Sequence, residues 1–204
     1  MTALRKNPIA LTPNAAPYAI RAERTSDVVA REALLDACFG ENRHIRTCQR
    51  LRDGRAPAEG LALSAVARGR LVGTVRLWHV SAGDIPALML GPLAVEETSR
   101  KLGVGAALMD HALAAATARG HRAVILLGDA PYYARFGFSG LKTGALSLPG
   151  PFERDRLLGL ELSDGVLDSA LGMIVPAGKA APESKPRPAA KPAKLAVKLA
   201  PHAA

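Results

Sequence analysis

The chain has 204 residues, 49% of them hydrophobic and 22% charged, with a net charge of +9. That length suits one domain with an appendage, and the apolar share supplies a core and excludes disorder throughout. Aromatics make up only 4%, which excludes a stacking platform for single-stranded nucleic acid, since such a groove needs several exposed rings.

Residues 1–17 read as an N-terminal extension without the unbroken apolar stretch and cleavage site of a secretory signal. Tyr18–Ala22 alternates as a first strand. Thr25-Ser26-Asp27 predicts a helix start, and Val28, Ala33, Leu34, Leu35 and Phe39 follow as an apolar stripe near helical spacing. A second, more basic helix is predicted over Arg43–Arg52. Leu61–Ala67 and Arg70–His79 read as an antiparallel hairpin turning at Arg68-Gly69. Ala87–Val95 is a further strand whose internal Gly91-Pro92 marks a bulge or a splayed edge, because Pro donates nothing to a ladder.

The next helix runs from about Gly103 to Arg119, with Val104, Leu108, Ala112 and Ala115 on one apolar line. Ala123–Leu127 reads as a short buried strand, Pro131–Arg135 as a short helix and Arg156–Glu161 as a late strand. Residues 164–177 are expected to form a final hairpin or loop over the sheet. The fold class is α/β, in the order β-α-α-β-β-β-α-β-α-β. It implies an α+β-type mixed sheet with helices on both faces and a splayed, bulged central strand. The domain is expected over residues 18–177.

Cys38 and Cys48 have neither metal-ligand nor redox spacing and read as a reduced pair. No run reaches the ~20 apolar residues of a membrane span. The expectation is a cytoplasmic protein without a metal.

Chemistry concentrates at one strand–loop–helix junction. Leu93-Ala94-Val95 ends the bulged strand, and Arg100-Lys101-Leu102-Gly103-Val104-Gly105-Ala106 opens the helix. Two glycines one residue apart let backbone N–H groups approach an anion, and the helix start turns its unpaired N–H groups to the same point. Arg100 and Lys101 add charge. Neither a complete GxGxxG nor a GKS/GKT sequence is present, so dinucleotide-fold and P-loop readings fail.

The Arg-x-x-Gly-x-Gly/Ala run after Leu-Ala-Val, followed by Pro131-Tyr132-Tyr133-Ala134-Arg135-Phe136-Gly137-Phe138, resembles the two signatures of the GNAT superfamily of N-acetyltransferases. With GDAPYYARFGF and the later LPGPF, the chain is similar to the YhbS-like branch of predicted acetyltransferases. The resemblance spans about residues 18–176 and implies acetyl-CoA as cosubstrate. It implies that pantetheine bonds to the backbone of Leu93, Ala94 and Val95, and that the backbone from Arg100 to Ala106 cradles the pyrophosphate. Tyr133 would protonate the departing thiolate after direct attack by a primary amine on a small molecule or peptide. The resemblance also implies an option of homodimer pairing through the late strands.

Asp129 reads either as a helix cap or as a group that handles the amine. Arg46, Arg50 and Arg52 point either to an acidic acceptor or to a solvated basic face. Beyond residue 177 the chain is Pro-, Ala- and Lys-rich, with six basic residues against Glu183, and therefore holds five of the nine net charges. It is expected to be disordered, either as a solubilising tail or as a nonspecific contact to nucleic acid or an anionic membrane. An acetyl-CoA-binding sensor or scaffold whose tail recruits a partner is the second functional reading.

Overall fold

The computed structural model describes residues 17–181. In chain order these form β1 (Ala19–Ala22), α1 (Val28–Phe39), β2 (Ala62–Ala67), β3 (Arg70–Ala82), β4 (Ile85–Val95), α2 (Val104–Ala118), β5 (Ala123–Leu127), α3 (Ala130–Ala134), β6 (Leu146–Ser147), β7 (Leu157–Glu161) and β8 (Gly172–Pro176). The sheet runs β1-β2-β3-β4-β5-β7, with β8 added to β3 and β6 to β8. β1 to β4 are antiparallel, β4 and β5 are parallel, and β7 returns antiparallel to β5. The sheet is mixed, as the element order implied.

The β2–β3 hairpin closes on Arg68 and Gly69, both at positive φ (49° and 78°), which matches strand twist in a two-residue turn. α2 lies close against the sheet because Gly73 has no side chain. A Cβ there would sit 2.9 Å from Val104 Cγ1 and 3.0 Å from Leu108 Cδ1. Val104, Leu108, Met109, Ala112 and Ala116 are the buried face of α2. They pack with Val75, Leu77, Leu88 and Leu90. The opposite face of the sheet holds a second core around Trp78, Val80, Met89 and Ile125, closed by Leu51, Leu146, Leu157 and Ile174. Strand alternation sends successive residues to these two cores.

Three expectations need correction. Residues 43–52 form no α-helix; they make two 3-10 turns, Glu41–Ile45 and Thr47–Leu51. Arg46 between them is extended, and the chain is tied instead to the late loop. There the Thr47 hydroxyl and the Arg50 guanidinium donate to the carbonyls of Pro151 and Pro149, each at 2.5 Å. The stripe on α1 is also not purely apolar. Arg31 and Leu35 are its buried residues, while Val29 is 76% exposed. A buried cation is stable there because Glu23 accepts from both Arg31 and Arg76 and so ties α1 to β3. Finally, β8 continues the sheet on Val80–Ala82 of β3 rather than lying over it.

The basic segment begins on the body of the fold. Ala56 donates to the Lys179 carbonyl (2.9 Å), Ala181 to that of Gly54 (2.9 Å), and Arg55 to that of Gly178 (2.7 Å). The extension up to residue 16 and the tail from 182 lie outside the described residues. Among the described residues, no helix is long and apolar enough to cross a membrane.

Asp27 is buried and takes the Arg21 guanidinium (2.6 and 2.9 Å), the Arg24 N–H (2.8 Å) and the Ser64 hydroxyl (3.2 Å). Arg21 holds its carboxyl well below the usual carboxylate range, against the opposing effect of burial. Asp27→Asn is expected to cost about 2 kcal/mol, the scale of a hydrogen bond to a charged group. The depressed carboxyl stabilises the fold above its unfolded value near ~4 and loses that contribution as pH falls below it. Thermal melts should show this acid sensitivity in the parent chain and a flatter profile in the variant.

Candidate active site

β4 is the element that opens the sheet. It pairs with β5 only at Leu88↔Val124 and Met89↔Ile125, whereas on its other side it stays paired with β3 to Val95. Opposite Arg76 the β3–β4 register skips a residue, because Val75 faces Leu93 and Leu77 faces Leu90. The extra residue lies at Gly91-Pro92, where the peptide is cis and Gly91 has φ 131°, a region closed to side chains. The Trp78 indole N–H donates to the Gly91 carbonyl at 2.6 Å and pins the bulge. Beyond it β4 and β5 diverge.

The Glu96 N–H donates to the Val72 carbonyl (2.8 Å), which fixes the phase of the ladder. The peptide groups of Ala94 therefore face β3, and those of Leu93 and Val95 face the open edge. In agreement, the Val95 carbonyl receives the Cys38 thiol and the Arg100 Nε, each at 3.5 Å. Of the three strand residues singled out in the sequence, Leu93 turns its peptide groups to this edge and Val95 its free N–H, the Val95 carbonyl being taken by Cys38 and Arg100. Ala94 is buried and paired.

The segment from Arg100 to Ala106 follows directly. A 3-10 turn, Glu97–Leu102, carries Arg100 and Lys101, and Gly103 turns at φ 75° to start α2 at Val104. The first N–H groups of α2 have no partner within the helix. Gly105 in that turn is overhung by Tyr132, whose hydroxyl would lie 3.0 Å from any Cβ added there. Tyr132 thus covers the first turn of α2, a placement that the sequence motif did not reveal.

A cavity of about 1160 Å³ fills the gap between β4 and β5. Leu93, Arg100 and Tyr133 line it together with Arg52, Asp129 and Phe152. Lys101, Leu102, Gly103, Val104, Gly105 and Ala106 belong to the adjoining turn rather than to the cavity wall. Tyr133 is held on α3, edge-on to Tyr132 (4.9 Å) and Phe138 (6.0 Å). Gly128 admits the ring, since a Cβ there would meet Tyr133 Cε2 at 2.2 Å. Burial, reinforced by Tyr132 and Asp129, pushes the Tyr133 phenol up to about 12, with Arg156 opposing. The Asp129 carboxylate makes no cap bond to α3; its carbonyl instead accepts from the N–H groups of Tyr132 and Tyr133.

A sheet opened at a bulge, with free backbone on one lip and a helix start below it, has the shape and donors to take a long ligand ending in an anion. Residues 59–140 match the acetyltransferase (GNAT) domain family. The matched stretch, from β2 through α3, is thus similar to GNAT acetyltransferases. The chain is 27% identical over 157 residues to an uncharacterized N-acetyltransferase, YhbS, of Escherichia coli K12, covering 76% of this chain and 93% of the relative. The crystal structure of E. coli YhbS in complex with CoA superposes with a TM-score of 0.69 at 29% identity, covering 81% of this chain and 93% of that one. A GNAT acetyltransferase of Brucella melitensis in complex with acetyl-CoA shares the fold (TM-score 0.57, 23% identity, 83% and 97% coverage).

The raised phenol gives a direct check. Tyr133 stabilises the fold below pH ~10, its unfolded value, and loses that contribution as pH rises toward about 12. Difference titration of phenolate absorbance between the parent and Tyr133→Phe should show one step centred near 12.

Proposed function

We propose that the chain is an acetyl-CoA-dependent N-acetyltransferase in which a primary amine attacks the thioester directly. The single observation that carries this reading is the open backbone edge of β4 at Leu93 and Val95, with Leu93 and Tyr133 lining one cavity. Those peptide groups bind the extended pantetheine arm as an added strand would. An N–H on the same edge polarises the thioester carbonyl where charge develops. Arg100, Gly103 and Gly105 with the first turn of α2 hold the pyrophosphate, and Lys101, Leu102, Val104 and Ala106 supply the rest of that backbone.

The cosubstrate supplies an activated acetyl group and a thiolate leaving group. Tyr133 remains protonated at neutral pH and donates to that sulfur as the C–S bond breaks. A phenol near 12 is a weak acid beside an ordinary thiol at ~8.5. The same dry surroundings raise the sulfur as well, and so narrow the gap. Direct transfer is favoured over an acetyl-enzyme because burial raises the Cys48 thiol, the one cysteine lining the cavity among the described residues. Asp129 lines the same cavity and is the carboxylate we assign to receive the ammonium proton.

Saturating acetyl-CoA at ~100 times its dissociation constant should stabilise the protein by ~2.7 kcal/mol, a melting shift of ~5–10 °C. Gly105→Trp with Arg100→Glu should abolish that shift. Tyr133→Phe should keep it and lower amine-dependent CoA release at least ~10-fold. A binding module without activity would show the shift but release no CoA with any amine.

A further inference from the structure

Resting on that reading, we infer that the acceptor is a small amine carrying a carboxylate, and that Arg52 binds this carboxylate at the acceptor end of the cavity. The sequence offered three arginines for an acidic acceptor, and the fold separates them. Arg50 is exposed and spends its guanidinium on the Pro149 carbonyl (2.5 Å). Arg46 also lines the cavity but is exposed, donates to the Phe39 carbonyl (3.0 Å) and stacks on the Phe39 ring (5.4 Å). Arg52 alone of the three is drawn inward, next to the fully buried Leu51.

Arg52 stands apart from the other inward-facing cations as well. Arg21, Arg31, Arg43 and Arg76 each have a carboxylate within 3 Å. Among the described residues Arg52 has none; its one hydrogen bond runs from Nε to the Cys48 carbonyl at 3.1 Å. Its neighbour Asp53 is exposed and held by Gln49 (2.7 Å). No fully buried side-chain nitrogen or oxygen of the described residues lacks a partner. The free Nη atoms of Arg52 therefore reach open volume, and that volume is the cavity it lines with Tyr133.

A desolvated cation without a partner costs folding energy that an incoming anion relieves. Burial lowers the Arg52 guanidinium from its ordinary value, yet it stays charged at neutral pH. With Nε occupied, the remaining Nη pair suits the two oxygens of a carboxylate. Leu35, Met89 and Phe152 supply apolar wall around it. The bonds from Thr47 and Arg50 to Pro151 and Pro149 tie the 3-10 turn to the late loop beside this end, which favours a small molecule over a long peptide.

The test uses the full chain and two matched sets of primary amines, amino acids and ω-amino acids against their carboxamides. Binding is read by melting shift in the presence of CoA, and turnover by CoA release from acetyl-CoA. Carboxylates should stabilise the parent where their amides do not, with kcat/KM favouring the acid by about 10- to 100-fold. In Arg52→Gln that ratio should collapse toward one, and Arg52→Lys should restore part of it. Acetyl-CoA stabilisation serves as the fold check on both variants. If no carboxylate shifts the parent, or if acids and amides behave alike in it, the assignment of Arg52 is wrong. Equal loss on acids and amides in Arg52→Gln would also overturn it. Failure of acetyl-CoA itself to stabilise the parent contradicts the acetyltransferase reading instead, so the two failures are distinguishable.

Discussion

Parallel strands β4 and β5 remain paired for two residues and then part, and the rest of the site depends on that parting. An extended strand normally has both edges satisfied inside a sheet, since buried peptide groups without partners are costly. Here the extra residue at Gly91-Pro92 turns β4 away from β5 while β3 continues to hold its other edge. Trp78 fixes the kink from the sheet's second face. The result is a lip of open backbone at Leu93 and the Val95 N–H, between the cavity and the start of α2. Tyr133 reaches that cavity because Gly128, at the end of β5, leaves room for its ring.

The polar architecture of the same half supports the opening. Glu23 joins Arg31 of α1 to Arg76 of β3, so α1 is fixed by charge against the stretch of strand where the register skips. Arg43 extends the network from the 3-10 turn to Glu32 and Asp36. Buried ion pairs of this kind contribute little net stability compared with apolar packing, but leaving one partner alone is costly. That asymmetry is what sets Arg52 apart: the fold pairs Arg21, Arg31, Arg43 and Arg76 with carboxylates and leaves Arg52 without one, facing the cavity.

Much of this was legible in the sequence, for identifiable reasons. Strands and α2 declared themselves through period, and Ala123–Leu127 matched the observed β5 because short buried runs have sharp ends. Gly91-Pro92 announced the bulge through what neither residue can do in a ladder. The 3-10 turns at 41–51 were misread as a helix because their conformation is set by Pro149 and Pro151, about 100 residues away, beyond the reach of any local pattern. Arg31 broke the stripe on α1 for a similar reason, its partner lying outside the helix. In the site, Tyr133 and the glycine turn were visible as motifs. The distinction of Ala94 from Leu93 and Val95 required the register of β3, and that of Arg52 from Arg46 and Arg50 required tertiary structure. Gly128 and Gly73 carried no signal of their own; only the neighbouring Tyr133 ring and α2 explain them.

The central claim is that the open edge of β4 is where the cosubstrate bonds, and amide hydrogen exchange tests it residue by residue. Exchange at Leu93, Ala94 and Val95 would be followed with and without acetyl-CoA. The account predicts marked slowing at Leu93 and Val95, with Ala94, already bonded to β3, nearly unchanged. Exchange at Leu93 and Val95 that is the same with and without bound acetyl-CoA would contradict it.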